Sequence, residues 1–321
     1  MSDHAALPTR EAIVATAAET IAKGSKSFAA ASRLFDRKTR ERAWLLYAWC
    51  RACDDIADGQ ELGHGMERVE DGPARLALIR EATAKALAGE VVGDPAFDAL
   101  RIVAAETQLP HRMANDLIEG FALDARDWRP RTEADLLTYC YHVAGVVGEM
   151  MAVVMGVDPA DEATLARACD LGLAFQLANI ARDIEEDGRV GRCYLPIEWL
   201  VEMDMAPGDH FKPWNRQRLA VLARRLARMA ERYEASARVG AAKLPFRSAW
   251  AVLSAAHIYG GIARKVAAAG EHAWDHRIST SSAEKLASVA RAFGEAMNRG
   301  RIAQRPRDPQ LWTPRRDVAN G

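Results

Sequence analysis

No stretch of this sequence reaches the roughly 20 uncharged apolar residues that a bilayer-spanning helix needs. The longest apolar run, VAGVVGEMMAVVMGV at 143–157, falls short of that and carries Glu149, so a buried core helix is expected there. The opening residues, MSDHAALPTREAIVATAAET, lack the basic segment followed by an apolar one that marks a secretory leader, and a cytoplasmic chain is expected. Excess charge of either sign is missing: 43 Lys and Arg stand against 44 Asp and Glu, for a formal net charge of −1. No global field therefore exists to attract nucleic acid, and any charge-driven function must be local. The five cysteines are odd in number and irregularly spaced, which argues against a disulfide framework in a chain this long. Cys50 and Cys53 form a single C-x-x-C, but no second pair completes a zinc site and no strand precedes it, so packed core thiols are expected. Phosphate-binding glycine loops are also missing, since neither G-x-x-x-x-G-K-[ST] nor G-x-G-x-x-G occurs.

What remains is helix. Aromatics make up 7% of the 321 residues and Ala, Leu, Arg and Glu dominate, a composition of strong helix formers with little strand-like alternation. Apolar periodicity and Gly/Pro punctuation predict helices over 10–23, 37–58, 73–89, 95–107, 110–126, 133–156, 161–187, 215–239, 246–269 and 281–298. No repeat or long linker divides the chain, so one all-α domain over 1–299 is expected, with 300–321 a disordered tail.

Two of these helices end unusually. In CRACDDIADG (50–59), counting back from Asp58 by fours and threes gives Asp54, Arg51 and Tyr47, a polar stripe on one helix face. Trp44, Leu45, Ala48, Trp49, Ala52, Cys53 and Ile56 are read as the other sides. A solvated helix end running into Gly59 is one reading. Acidic residues at a helix C-terminus oppose the macrodipole, however, at about 0.3–1 kcal/mol each, and water would meet tryptophans. The alternative is a stripe facing an interior cavity. LGLAFQLANIARDIEEDGR (171–189) repeats the pattern with Gln176, Asn179, Asp183 and Asp187, flanked by Leu173, Phe175, Leu177, Ile180 and Ile184. That recurrence favours the cavity.

Asp54/Asp58 and Asp183/Asp187 set carboxylates about 5–6 Å apart. The donors on both stripes are hard oxygens without histidine or thiolate, which points to Mg²⁺ or Mn²⁺ rather than zinc. Mg²⁺ usually binds through a few carboxylates plus substrate phosphate, so a phosphate-bearing guest is expected. Arg51, Arg182, Arg192 and Tyr194 stand near enough in sequence to add charge-assisted donors.

The words GSKSF (24–28), YAWCRACDDIAD (47–58), YCYHVAGVVGEMM (139–151), FQLANIARDIEEDGRVGRCYLP (175–196) and AWDHR (273–277) together resemble the squalene/phytoene synthase family, above all its bacterial phytoene-forming members. The resemblance spans about residues 20–280. It implies a class I isoprenoid synthase bundle of α-helices around a central cavity. The implied activity is head-to-head condensation of two geranylgeranyl diphosphates, through a cyclopropyl diphosphate, to 15-cis-phytoene in carotenoid biosynthesis. It further implies several bound Mg²⁺ or Mn²⁺ ions bridged by substrate diphosphate, and no nicotinamide.

Position by position, Asp54, Asp58, Asp183 and Asp187 match the family's metal-binding carboxylates, with Asn179 as an accessory ligand. Asp55 lies about 100° away on the helix and is left out. Ser25, Tyr47, Arg51, Gln176, Arg182, Tyr194 and Arg277 match positions that contact diphosphate or close the site. Tyr139 and Tyr259 match residues facing the reacting carbons; Tyr259 and Phe28 also fit as core aromatics. Gly145 and Gly148 fit either a slot for prenyl chains or close helix packing.

Other readings stay open. A dehydrosqualene synthase acting on farnesyl diphosphate differs in cavity depth, which sequence does not give. Chain-elongating prenyltransferases typically carry D-D-x-x-D at both sites, whereas the second site here reads N-x-x-x-D-x-x-x-D. A catalytically inactive isoprenoid-binding protein is the non-enzyme alternative. The basic amphipathic stretch 216–238, with Leu219, Leu222, Leu226, Met229 and Tyr233 on one face, reads as an outer helix or as a peripheral contact with the inner membrane face. A downstream carotenoid enzyme is a further expected partner.

Overall fold

The computed structural model describes residues 8–59, 71–126, 128–206, 208–302 and 305–315, with backbone only at Lys26, Ser27 and Asp58. Every regular element among them is helical, as the composition requires. The chain divides into two compact units, Met1–Arg126 with Met150–Ala160 and Asp127–Glu149 with Asp161–Gly321. No linker marks this division because the units interleave along the sequence.

In the first unit, α1 (Arg10–Gly24), α2 (Lys26–Ser32), α3 (Arg37–Asp58), α4 (Gly72–Leu87), α5 (Pro95–Thr107) and α6 (His111–Asp124) follow one another. Thr9 and Asp36 cap α1 and α3 by accepting from the Ala12 and Thr39 amides, each satisfying an orphan donor. Gly59, at φ 65°, ends α3 in the left-handed conformation that glycine adopts without strain. Arg10 bridges Glu41 (2.8 Å) and Glu106 (2.5 Å), and Arg42 joins Glu106 (2.8 Å), so α1, α3 and α5 are held together at their polar edges. Trp49 is fully buried and donates to Thr83 of α4. Burial pushes the Cys50 thiol up to about 12, with Asp54 adding to the shift, and raises the Cys53 thiol as well. Both are free thiols, Cys53 buried in the core and Cys50 half-buried.

The second unit is built on α9 (Glu162–Arg189), against which α7 (Glu133–Cys140), α11 (Arg216–Ala241) and α12 (Phe246–Ala269) pack. A π turn, Tyr141–Gly145, joins α7 to α8 (Val146–Val154), making one continuous helix whose last residues belong to the first unit. The short α10 (Ile197–Glu202) follows α9, and α13 (Ser282–Met297) lies on α12. Over Glu133–Val154 this helix is 22 residues long and apolar enough to cross a membrane, but 61% of its most apolar window is buried, which fits a core helix. A Cβ on Gly148 would strike the carbonyl oxygen of Ala168, and one on Gly172 that of Ala144. Gly145 likewise meets the Cys169 Sγ. These glycines are spent on backbone-to-backbone packing, and the prenyl slot that Gly145 and Gly148 also allowed is filled by α9.

Two further expectations change. Leu219, Leu222, Leu226 and Tyr233 of α11 are buried, so the face offered as a membrane contact belongs to the core. Residues 305–315, expected to be disordered, are pinned to the second unit. Arg307 donates twice to the fully buried Asp170 (2.9 and 2.7 Å) and also to the Leu311 and Trp312 carbonyls. Leu311 is buried, and the Trp312 amide donates to the Tyr233 hydroxyl. Composition reads this Arg/Pro-rich stretch as a solvated tail because its anchor lies 137 residues upstream.

Candidate active site

In the first unit the end of α3 carries the expected stripe. Tyr47, Arg51 and Asp54 are half-buried and Ala48, Trp49 and Cys53 between them are buried, while Cys50, Ala52 and Asp55 are half-buried as well. Arg51 donates to Asp54 at 2.6 Å and its guanidinium lies 5.8 Å from the centre of the Tyr47 ring. Phe28 meets the same ring edge-on at 5.6 Å. The chain can pass here because residue 24 is glycine: a Cβ would stand 2.6 Å from the Tyr47 hydroxyl. Ser25 caps α2, its hydroxyl accepting from the Phe28 amide. Thus Ser25, Phe28, Tyr47, Arg51 and Asp54 come together, although α2 itself is absent from the periodicity. The Asp58 side chain lies outside the described residues.

The stripe runs on toward the start of α3, through Trp44 and Arg40, at the same three- and four-residue spacing. Trp44, assigned above to the apolar side, lies three positions from Tyr47 and so shares its face. It lines a cavity of about 430 Å³ with Ala18, Ile21, Ala22, Ala29, Arg33 and Arg40. Its indole is fixed by donation to the Ser32 hydroxyl at 2.9 Å. Ten residues at 1.5 Å rise put Trp44 about 15 Å from Asp54 along the axis.

In the second unit, Gln176, Asn179, Asp183 and Asp187 of α9 are all half-buried, whereas Leu177, Ala178, Ile180, Ala181 and Ile184 are buried. Arg182 donates to both Asp183 oxygens, one at 2.7 Å. Arg277 approaches the same carboxylate at 3.3 Å and also pairs with Glu186. Burial opposes the Arg182 charge, but its Asp183 hydrogen bond and charge outweigh that and raise its pKa. The AWDHR word explains how Arg277 arrives. Trp274 is buried and donates to the Ala181 carbonyl of α9, while Asp275 pairs with Arg216. Tyr139 is buried between two rings, Tyr194 at 4.8 Å and Trp128 at 5.7 Å, both stacked. Trp128 had no local signal in the sequence. Tyr259 stacks on Phe175 at 4.2 Å and forms a separate aromatic pair from the Tyr139 stack.

Among the described residues no three His, Cys, Asp or Glu side chains gather on one point. The carboxylates on the two stripes, Asp54 on α3 and Asp183 and Asp187 on α9, are hard oxygen donors, the kind Mg²⁺ takes a few of beside ligand phosphate and water. On each helix a guanidinium stands beside the carboxylate, Arg51 by Asp54 and Arg182 by Asp183, a donor of the kind that phosphate oxygens accept from.

The squalene/phytoene synthase family model matches residues 21–284. The 15-cis-phytoene synthase of Pantoea ananas is 49% identical over 298 residues, covering 92% of this chain and 96% of that protein. The phytoene synthase of Rhodobacter capsulatus is 35% identical over 312 residues, covering 97% and 89%. Among solved structures, a ligand-bound dehydrosqualene synthase superposes with a TM-score of 0.80 at 27% identity, covering 90% of this chain and 98% of that one.

Proposed function

The chain belongs to the squalene/phytoene synthase family, and we propose that it condenses two geranylgeranyl diphosphates head to head to 15-cis-phytoene. The condensation passes through a cyclopropyl diphosphate, in two ionisations that each release one diphosphate and one proton. The observation that carries this reading is the pair of half-buried polar stripes, Tyr47, Arg51 and Asp54 on α3 and Gln176, Asn179, Asp183 and Asp187 on α9, each with buried apolar residues between its members. Relatives named as phytoene synthases at 48–49% identity favour it over the dehydrosqualene alternative.

Family members of this kind depend on divalent metal, and bound Mg²⁺ or Mn²⁺ would supply charge neutralisation of the departing diphosphate. In this reading Asp54, Asp58, Asp183 and Asp187 hold the metal, with Asn179 as accessory ligand. Arg51, Arg182 and Arg277 bind the diphosphate directly, where their fixed charges act as negative charge develops on the leaving group. Ser25, Tyr47, Gln176 and Tyr194 complete its hydrogen bonding. Tyr139, stacked on by Trp128 and Tyr194, offers its hydroxyl to the allylic cation and Tyr259 a ring face or hydroxyl, and Phe28 packs against Tyr47. Stacking of Trp128 and Tyr194 on Tyr139 keeps that ring fixed and helps exclude water, which would quench a carbocation. We read the enzyme as needing no nicotinamide. It is cytoplasmic in this reading, with peripheral contact at the inner membrane face, where its lipid substrate and product reside and a downstream carotenoid enzyme would collect the product.

The test is incubation of purified protein with geranylgeranyl or farnesyl diphosphate and Mg²⁺ or Mn²⁺, without nicotinamide. Phytoene from the longer substrate is expected. No phytoene with either metal, or product from farnesyl diphosphate alone, overturns the reading.

A further inference from the structure

Helix α13 turns an apolar face to water. Leu286, Phe293 and Met297 are 71%, 43% and 61% exposed, at seven- and four-residue steps that set them on one stripe. Ala283, Ala287, Ala290 and Gly294 beside them are exposed as well. The side against α12 carries Ala292 and Ala296, both fully buried. A surface helix ordinarily reverses this arrangement, with charge outward. Phe293 also packs edge-on against Phe246 (5.6 Å) and Trp250 (5.1 Å) of α12, so the patch continues onto the neighbouring helix.

Both acidic side chains of α13 are held in ion pairs. Glu284 is engaged by Lys265 at 2.6 Å, and Glu295 by Arg238 and His257. Arg291 and Arg301 are exposed at its margin, and Arg299 lies over the Phe246 ring.

We infer that this face docks onto an anionic lipid bilayer. Helix α13 would lie in the interfacial plane, with Leu286, Phe293 and Met297 among the acyl chains and Arg291 and Arg301 at headgroup phosphates. A second copy of the chain fits less well. A 16-residue helix is about 24 Å long and roughly 10 Å wide. That is well short of the ~800 Å² per partner that a stable dimer buries, and two-fold pairing would set the basic margin against itself. The inference rests on the reading of the protein as a peripheral, lipid-handling enzyme and assigns the surface that makes the contact.

The experiment is flotation of the full chain with vesicles of phosphatidylcholine alone or mixed with phosphatidylglycerol, at low and high salt. Wild type is expected to float with the anionic vesicles and to be released by salt. L286E/M297E changes two exposed side chains and is expected to lower binding by about tenfold or more, while activity on detergent-dispersed geranylgeranyl diphosphate stays at the wild-type level. R291E/R301E should lose the preference for anionic vesicles, and V201E, at an exposed apolar position on α10, should bind like wild type. If wild type fails to float, the peripheral reading itself falls. If wild type floats and L286E/M297E floats equally, the assignment to α13 alone falls. A concentration-dependent dimer that L286E/M297E dissociates would overturn the lipid partner in favour of a second copy.

Discussion

Replacing Arg307 with alanine should cost about 3 kcal/mol or more of folding stability. Asp170 has no exposed surface and is supported by three hydrogen bonds, two from Arg307 (2.9 and 2.7 Å) and one from Ser236 (2.6 Å), and by the nearby charge of Arg167. Burial opposes the Arg307 charge, yet its Asp170 hydrogen bond and charge outweigh that and raise the guanidinium's pKa. Removing one partner of a buried pair typically costs about 3–5 kcal/mol, because the other charge stays buried. Ser236 and Arg167 remain to Asp170, which places the expected loss at the lower end. The same change frees the Leu311 and Trp312 carbonyls and so releases the C-terminal segment. Urea unfolding followed by circular dichroism reads the loss as a lower midpoint at an unchanged slope. R307M combined with D170L should recover much of the stability, since an apolar pair of similar size substitutes well for a buried ion pair. A loss below about 1 kcal/mol for R307A would show that the contact behaves as a surface ion pair and that the segment is not anchored.

Asp54→Ala and Asp183→Ala should each lower turnover on the order of a thousandfold or more while leaving the far-ultraviolet circular dichroism unchanged; an active variant of either would remove the metal and diphosphate assignment. Gly172→Ala, which drives a methyl group into the Ala144 carbonyl, should destabilise by about 1–3 kcal/mol or more, measured by the same urea titration. Ala29→Phe would partly fill the cavity beside Trp44. It should lower kcat/KM for geranylgeranyl diphosphate relative to farnesyl diphosphate by about tenfold; equal use of both substrates by wild type and variant would show that the cavity does not receive the prenyl chain.

The long helices were legible because apolar periodicity and capping residues agree over many turns, as at Asp36 and Gly59 around α3. Helices α2 and α10, at seven and six residues, are too short to establish a period against their flanks. The polar stripes were legible for the same reason as the helices, since i, i+3 and i+4 spacing fixes a shared face without knowledge of the partner. Residue type sets Trp44 on the apolar side, whereas its spacing from Tyr47 sets it on the stripe. Trp128 and Asp170 gave no signal because what they do depends on residues far away in sequence. The Tyr139 stack joins positions 128, 139 and 194. Glycine in a helix signalled close approach, but only the packed structure distinguishes another backbone from a ligand at Gly145 and Gly148.

The interleaving of the two units has a consequence for how the chain can be made and cut. Residues 150–160 complete the first unit after residues 127–149 of the second have already been laid down. A nascent chain ending at residue 126 therefore still lacks a piece of its own core. Neither unit corresponds to a single contiguous fragment, and no one backbone cleavage separates them without removing part of one. Folding of the first unit must wait on sequence that arrives through the Glu133–Val154 helix, so its contacts are non-local in order as well as in distance, which slows the search for the native pairing.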